Sequence, residues 1–420
     1  MRELKIIFIA SMLLSWLGCV ANNDTMNGIF HPNFHTLEVK VEGNDYAPPV
    51  ISLNSDDHIN ISFDEIADDT RYLRYSLIHC DSQWQPSGLV DPEFVDGFNL
   101  GNIDQYEFSQ LTTAHYVHYS LSIPNNEVQF TISGNYLVKI FDESDPDTPL
   151  LQARFMVCEN TMKATADVTS RTDIDFNGSK QQLSIEVNTM NENVHNLYQD
   201  LNVVITQNSR LDNAVSIIAP MRTSGNKAYY EHQHSLIFDA GNEYRRIETV
   251  STTYPGMGVE SIDYAHPYYH MTLGVDRSRY NSNYSYDQTQ HGRFTIREYN
   301  SSASEIEADY VVVHFSLDSP ELINTDIFLD GDFTHRRFNP ESRMIYNRAT
   351  GCYEKSLLLK QGAYNYQYLV LPLGTEKGLT SIIEGNFYQT INEYLIAIYH
   401  RQPGSRYDRL VAVTTIFSGR

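Results

Sequence analysis

The feature that most constrains this chain is an alternation of apolar and polar residues with a period of two. It is clear in the runs 37–42, 59–63, 183–187 and 201–205, and Gly, Pro, Asn or Asp interrupts it about every ten residues. Side chains along a strand point to opposite faces in turn, so these runs predict strands with one buried face. Helical spacing is scarce, and the 29 tyrosines and 19 phenylalanines suit a pleated surface. The sequence therefore predicts an all-β fold of tandem antiparallel β-sandwiches of immunoglobulin-like type.

The length and the polar breaks predict three domains. A chain of 420 residues is too long for one ordinary core. A polar stretch follows the apolar run 155–157, and a small, polar run occupies 299–303. We predict a signal peptide at 1–21, an N-terminal β-sandwich at 28–160, a second β-sandwich at 161–302 and a third at 303–420.

The amino terminus has the pattern of an export signal. Two basic residues precede a mostly apolar run, 6–17, and small residues lead to a cleavage position after Ala21. A lipid anchor at Cys19 is the alternative, although Trp16 stands where lipoprotein junctions prefer an aliphatic residue. No later run reaches the roughly 18 consecutive apolar residues of a membrane-spanning helix. We expect an exported, soluble chain.

The charge balance argues against two classes of partner. Acidic residues outnumber basic ones by 53 to 30, which gives a net charge of -23. Phosphate backbones and anionic lipid surfaces repel such a chain, so we expect neither nucleic acid nor a peripheral membrane surface as partner. The acidic residues are spread along the chain, which is typical of a solvated surface.

Three cysteines remain after the predicted signal: Cys80, Cys158 and Cys352. An odd number leaves at least one thiol free within the chain, and whether Cys80 pairs with Cys158 stays open because sequence gives no distance. The triplet His79, Cys80 and Asp81 has the parts of a cysteine hydrolase. On a strand, however, Cys80 points away from its two neighbours. We expect a buried Cys80, His79 near the surface, and Trp84 anchoring the core or a loop over it.

Candidate metal ligands occur in small groups without a complete set. We interpret the acidic residues at 142–147 as a hairpin connection and those at 173–177 as a solvated loop. His232 and His234, at strand spacing, are the best metal candidates, but no third ligand is near. Phosphate loops, nucleophile elbows and zincin helices are missing from the sequence. We therefore predict no catalytic, cofactor-binding or metal residues, no cofactor and no enzymatic activity. A glycosidase that uses two of the many carboxylates is a remote alternative.

The strand at 362–368 places Tyr364, Tyr366 and Tyr368 on one face. Such a stripe is a sandwich core, a protein interface or a sugar platform, and packing is the first interpretation. With the Gly-Asp-Phe element at 331–333, the strand resembles the glycogen-binding, early-set type of sandwich. That resemblance implies the fold for the third domain, but the tryptophan expected shortly after the Gly-Asp-Phe element is missing from 334–338.

A second resemblance covers nearly the whole chain after the predicted signal. The chain resembles the plug protein family of the type IX secretion system of Bacteroidetes. The segments that carry this resemblance, in order, are 79–81 with Trp84, 113–121, 133–136, 240–248, 308–311, 360–368, 392–394 and 399–401. The resemblance implies a periplasmic, non-enzymatic subunit that closes the periplasmic mouth of an outer-membrane β-barrel translocon. An exported glycan-binding protein is the alternative. The surface that meets the barrel and the oligomeric state stay open.

Overall fold

The computed structural model describes residues 25–190 and 192–419, and these residues form an almost entirely β structure. The four alternating runs lie in strands, except that residue 42 follows the end of its strand, Phe34–Val41, and this confirms the predicted fold class. The predicted signal peptide and Cys19 lie outside the described residues. No helix in the described part of the chain is long and apolar enough to pass through a lipid bilayer.

The first core lies between two sheets. Its strands are β1 (Gly28–Ile29), β2 (Phe34–Val41), β3 (Val50–Ser52), β4 (Ile59–Glu65), β5 (Leu73–Cys80), β6 (Val95–Gly97), β7 (Gly101–Asn102), β8 (Gln105–Phe108), β9 (Val117–Ile123), β10 (Val128–Phe130), β11 (Gly134–Asp142) and β12 (Asp145–Cys158). One sheet has the order β1-β12-β11-β5-β7 with β3 added to β12, and the other has the order β2-β4-β9-β8. Their facing side chains form one buried cluster that runs from Phe34 to Val157.

The second core combines two separate parts of the chain. It uses β13 (Lys163–Thr169), β14 (Lys180–Asn188), β15 (Leu201–Gln207), β16 (Val215–Ile217), β17 (Arg222–Ser224), β18 (Lys227–Tyr230) and β19 (Ile237–Asp239). The last two strands of the chain, numbered β30 (Glu393–His400) and β31 (Arg409–Phe417), complete the sheet β16-β15-β30-β31. Buried residues from both parts share one cluster.

The third core lies between those two parts in the sequence. Its strands are β20 (Arg245–Glu248), β21 (Val259–Ala265), β22 (Tyr268–Leu273), β23 (Asp276–Arg277), β24 (Phe294–Ile296), β25 (Tyr310–Asp318), β26 (Thr325–Asp330), β27 (Ile345–Asn347), β28 (Cys352–Lys360) and β29 (Gly362–Pro372). The sheet β21-β22-β25-β28-β27 faces β29 and its neighbours β20, β24 and β26. Short helical turns lie at Asp91–Glu93, His234–Leu236, Ser304–Glu307 and Asp332–Thr334.

This strand pairing differs from the predicted division at residue 302. The sequence prediction placed 303–420 in one domain, whereas the sheets distribute those residues over two cores. β15 pairs with β30 from Leu201 opposite His400 to Gln207 opposite Tyr394. Alternation locates strands but does not say which strands pair, and the partner of β15 lies nearly 200 residues away in sequence. We propose that the third unit, from β20 to β29, is an insertion in the second.

Candidate functional site

The candidate functional site is the set of junctions between the three cores. Most of the segments that carry the family resemblance are brought to these junctions, although they are far apart in sequence. The buried contacts there include polar and charged groups beside the apolar clusters. They fix how one sandwich sits against the next, which simple apolar contact would do less specifically.

The junction of the first and third cores is built on a buried ion pair. The ammonium of Lys360, at the end of β28, lies 2.6 Å from Asp64 Oδ2 on β4. The side chains of Lys360 and Asp64 are 1% and 0% exposed. Tyr310 donates to the same carboxylate oxygen at 2.6 Å, and His118 Nδ1 lies 2.6 Å from the other oxygen. A buried charge is tolerated only with such partners, so this group specifies one placement of the two cores.

The electrostatics of Asp64 follow from these partners. Burial alone raises the pKa of the carboxyl group, but Lys360 and His118 together outweigh burial, so its pKa lies below the ordinary value. Asp64 is therefore ionised at neutral pH. Lys360 also donates to the Glu305 carbonyl at 2.5 Å, and its ammonium lies 4.2 Å from the centre of the Tyr116 ring.

A second set of contacts at this junction joins side chains to the backbone. The Asp309 carboxylate accepts hydrogen bonds from the N–H groups of Thr113 at 2.9 Å and Ala114 at 3.1 Å. Gln361 and Asp309 bond each other twice, each time at 2.8 Å. Tyr116 donates to the Ala308 carbonyl at 2.9 Å. The segments 113–121, 308–311 and 360–368 of the resemblance therefore meet here.

The first and second cores meet around Tyr399 of β30. Its hydroxyl donates to Asn135 Oδ1 at 2.7 Å, and Asn135 in turn donates to the Asp81 carbonyl at 2.7 Å. Trp84 belongs to the same apolar cluster, and the Arg154 guanidinium lies 4.3 Å from the centre of its ring. Trp84 therefore packs at this junction rather than within one core.

The second and third cores are joined by further ion pairs and hydrogen bonds. Arg293, beside β24, makes two hydrogen bonds to the Glu393 carboxylate on β30, at 2.7 and 3.0 Å. Arg210 donates to the Gly378 carbonyl at 2.8 Å, and Gly378 N–H donates to Asp212 at 2.9 Å. All three pairs of cores are thus connected by polar contacts that water reaches poorly.

The tyrosine stripe packs inside the third core, as first interpreted. Tyr364, Tyr366 and Tyr368 are 2%, 3% and 0% exposed. Asp276 Oδ2 accepts hydrogen bonds from the hydroxyls of Tyr366 and Tyr368, both at 2.7 Å. Asn365, on the opposite face of β29, is buried as well. The rings are covered and cannot stack on a sugar.

The Gly-Asp-Phe element has a similar structural role. The Phe333 ring packs edge-on against Tyr364 with centroids 5.5 Å apart. Arg336, which follows where a sugar-stacking tryptophan would be expected, is buried and bonds Asp330 at 3.2 Å and the Tyr244 hydroxyl at 3.1 Å. The element therefore stabilises the third core and does not present an aromatic platform.

The expectation for His79 was wrong in one respect. Cys80 is fully buried as predicted, but His79 is also buried, at 2% exposure, and packs against the rings of Tyr136 and Tyr407. Its ring nitrogens lie 2.9 Å from Ser87 Oγ and 3.2 Å from the Ser133 carbonyl oxygen. Both faces of β5 are covered at its end, so the alternation of the strand does not expose His79 to solvent.

The described cysteines are free thiols, and Cys80 is not paired with Cys158. Burial raises the pKa of Cys80 to about 12 and that of Cys158 to about 11, which disfavours the nucleophilic thiolate. Neither thiol is placed as a hydrolase nucleophile would be.

The metal candidates do not assemble into a site. β18 ends at Tyr230, so His232 and His234 lie in a turn and not at strand spacing. His232 Nδ1 lies 3.0 Å from Asp173 instead. The residues at 142–147 do form a hairpin connection, with Asp142 opposite Asp145. No group of three His, Cys, Asp or Glu side chains within 25–190 and 192–419 could hold a metal ion.

The pairing of Asp64 with Lys360 could not be found from sequence. The two residues are 296 positions apart, and each follows an apolar run that looks like ordinary strand. One indirect indication of this junction lies in the sequence: segments 308–311 and 360–368 are both among those that carry the family resemblance.

Comparison with known proteins identifies the family. The model of the type 9 secretion system plug protein 1st domain matches residues 34–159, which are the residues of the first core. A solved structure described as a hypothetical protein from Parabacteroides merdae is 41% identical, with a TM-score of 0.93 over 94% of this chain and 99% of that chain. This chain belongs to the type IX secretion plug family.

Two further comparisons add little. The structure of Pseudomonas fluorescens alkylpurine DNA glycosylase AlkC bound to DNA aligns with a TM-score of 0.18 and 15% identity over 30% of each chain, which is too low to compare folds. No curated protein matches the chain. Members of the plug family are components of a secretion system, and the family is not a known enzyme family.

Proposed function

We propose that this protein is a non-enzymatic plug or gating subunit of the type IX secretion translocon, which closes the periplasmic mouth of the outer-membrane barrel. The observation that carries the proposal is the plug-family match over residues 34–159, together with a relative that is similar over nearly its whole length. The predicted export signal agrees with a periplasmic location.

The buried junctions support this function physically. A stopper must keep its shape when it meets a rim, and linked sandwiches with loose contacts would move relative to one another. Here the Asp64–Lys360 and Arg293–Glu393 pairs tie the third core to the other two. A shift of one core would have to break these pairs, and a charge that stays buried after losing its partner costs about 3 to 5 kcal/mol.

Co-purification tests the proposal. Affinity-tagged protein, extracted gently from outer membranes of its own cells, is expected to recover one very large barrel protein in a fixed ratio. A control bait, another exported β-sandwich protein with the same tag, should not recover it. Recovery of the tagged chain alone across several mild detergents would contradict the proposal.

A further inference from the structure

The edge strand β8 of the first core has an open hydrogen-bonding side. β8 is the last strand of the sheet β2-β4-β9-β8, and its pairing with β9 runs from Gln105 opposite Ser120 to Phe108 opposite Val117. Within the described residues, the backbone of 105–108 makes no hydrogen bond beyond that pairing. Folded proteins usually cover or charge such an edge, because it can accept a further strand.

The side chains of β8 make this edge unusual. Phe63 and Tyr119 are fully buried, face each other across β4 and β9, and stack with centroids 5.4 Å apart. Tyr106 is the next residue in this row, 6.2 Å from Tyr119, yet it is 47% exposed. Phe108 packs edge-on against Tyr106 at 6.0 Å and is 48% exposed. An aromatic row that faces the core thus continues to the open edge of the sheet, where its outermost rings are half exposed.

Carboxylates lie on β8 and directly before it, in a stretch of sequence without lysine or arginine. From residue 75 to residue 138 the chain has no lysine or arginine, and it has seven carboxylates. Two of these, Asp104 and Glu107, lie beside and within β8 and have no ion-pair partner in the described part of the chain. Such a surface attracts a basic partner and repels an acidic one.

We propose that β8 binds an extended segment of the barrel protein that adds to the sheet as a further strand. The chemistry of the segment follows from the edge: an apolar side chain opposite Tyr106, a second near Phe108, and lysine or arginine on both sides. Backbone hydrogen bonds to β8 provide affinity, and the two aromatic side chains provide register. The identity of the partner rests on the proposed function, whereas the chemistry of the segment does not.

A peptide experiment tests the chemistry by itself. The probe is a short synthetic peptide of alternating valine and threonine flanked by lysines, with two controls, one flanked by glutamates and one with a central proline. The lysine peptide is expected to bind and to slow hydrogen exchange at residues 105–108, while both controls bind at least about tenfold more weakly. Absence of binding, or binding without protection of these amides, would overturn the proposal. Self-association of the protein through β8 without any peptide would also overturn it, since the occupant would then be a second copy.

Co-purification with matched variants tests the partner. The double variant Tyr106→Ser/Phe108→Ser removes two half-exposed rings at the sheet edge, and thermal unfolding checks that the variant is folded under the conditions of the co-purification. The control Tyr264→Ser/Ile345→Ser changes two side chains that are 54% and 60% exposed on edge strands of the third core.

Barrel recovery should fall at least about tenfold for the β8 variant and stay unchanged for the control. Equal recovery with wild type and the β8 variant would overturn this inference and leave the proposed function standing. Failure of the wild type to recover the barrel would instead contradict the proposed function, while peptide binding at β8 would still be measurable.

Discussion

Replacing Lys360 by methionine tests whether the buried ion pair holds the first and third cores together. Methionine has a similar length and no charge, so the change removes the ammonium and leaves the Asp64 carboxylate, 0% exposed, with only Tyr310 and His118 as partners. Breaking a buried pair in this way costs about 3 to 5 kcal/mol. For a chain of this length the urea m-value exceeds about 3 kcal/mol/M, so the midpoint of unfolding should fall by about 1 M.

The fluorescence of Trp84 reports this unfolding, because Trp84 is the one tryptophan after residue 21 and packs where the first and second cores meet. Arg348→Met is the matched control, since Arg348 is 82% exposed and pairs with Glu321 at the surface. That pair should contribute less than about 1 kcal/mol.

A second variant separates the lost charge from lost packing. Asp64→Asn added to Lys360→Met removes the uncompensated carboxylate, so the double variant should be more stable than the sum of the two single changes predicts, by about 1 to 3 kcal/mol.

The ion pair also predicts that the protein loses stability in acid. The pKa of Asp64 is lowered in the folded state, so its contribution is complete above about pH 4 and is lost as the pH falls from there through the folded-state pKa.

A midpoint shift for Lys360→Met no larger than that for Arg348→Met would contradict this role of the ion pair. Additive effects of the two single changes at Asp64 and Lys360 would contradict it as well, since the carboxylate and the ammonium would then not depend on each other.

Three further outcomes are expected. Burial and two neighbouring arginines lower the pKa of His291 to about 4, so stability should fall as the pH drops from about 6.5 to about 4. In His291→Asn this loss, measured by urea unfolding at both pH values, should be smaller by about 2 kcal/mol. Tyr368→Phe removes a hydrogen bond to the Asp276 carboxylate and should lower the free energy of unfolding by about 1.5 to 3 kcal/mol in the same assay. The heat measured on titration with glucans should be the same for this variant and the wild type. In a chain starting at residue 22, a thiol reagent should modify Cys352 quickly and the two buried cysteines only on unfolding. Mass spectrometry counts the modified thiols over time, and Cys352→Ser should abolish the fast modification.

The sequence was sufficient for the fold class and for the place of the tyrosine strand. Period-two runs such as 59–63 and 201–205 lie in strands because one face of each is buried. The packing interpretation of Tyr364 and its neighbours is confirmed by their burial.

The arrangement of the cores could not be predicted, since alternation does not identify strand partners. β15 and β30 pair although the whole third core lies between them in sequence, whereas the predicted division at 302 assigned these two strands to different domains. His79 was misplaced for a related reason. A junction covers the strand face that an isolated sandwich would leave in water.

The most direct test of the central claim is the current through the purified barrel in a planar lipid bilayer. With this protein added on the side that corresponds to the periplasm, the open-pore current should fall to the closed level, and it should return when the protein is washed away. Lys360→Met, whose cores are less firmly joined, should close the pore less completely at the same concentration. An unchanged current with bound wild-type protein would contradict the account.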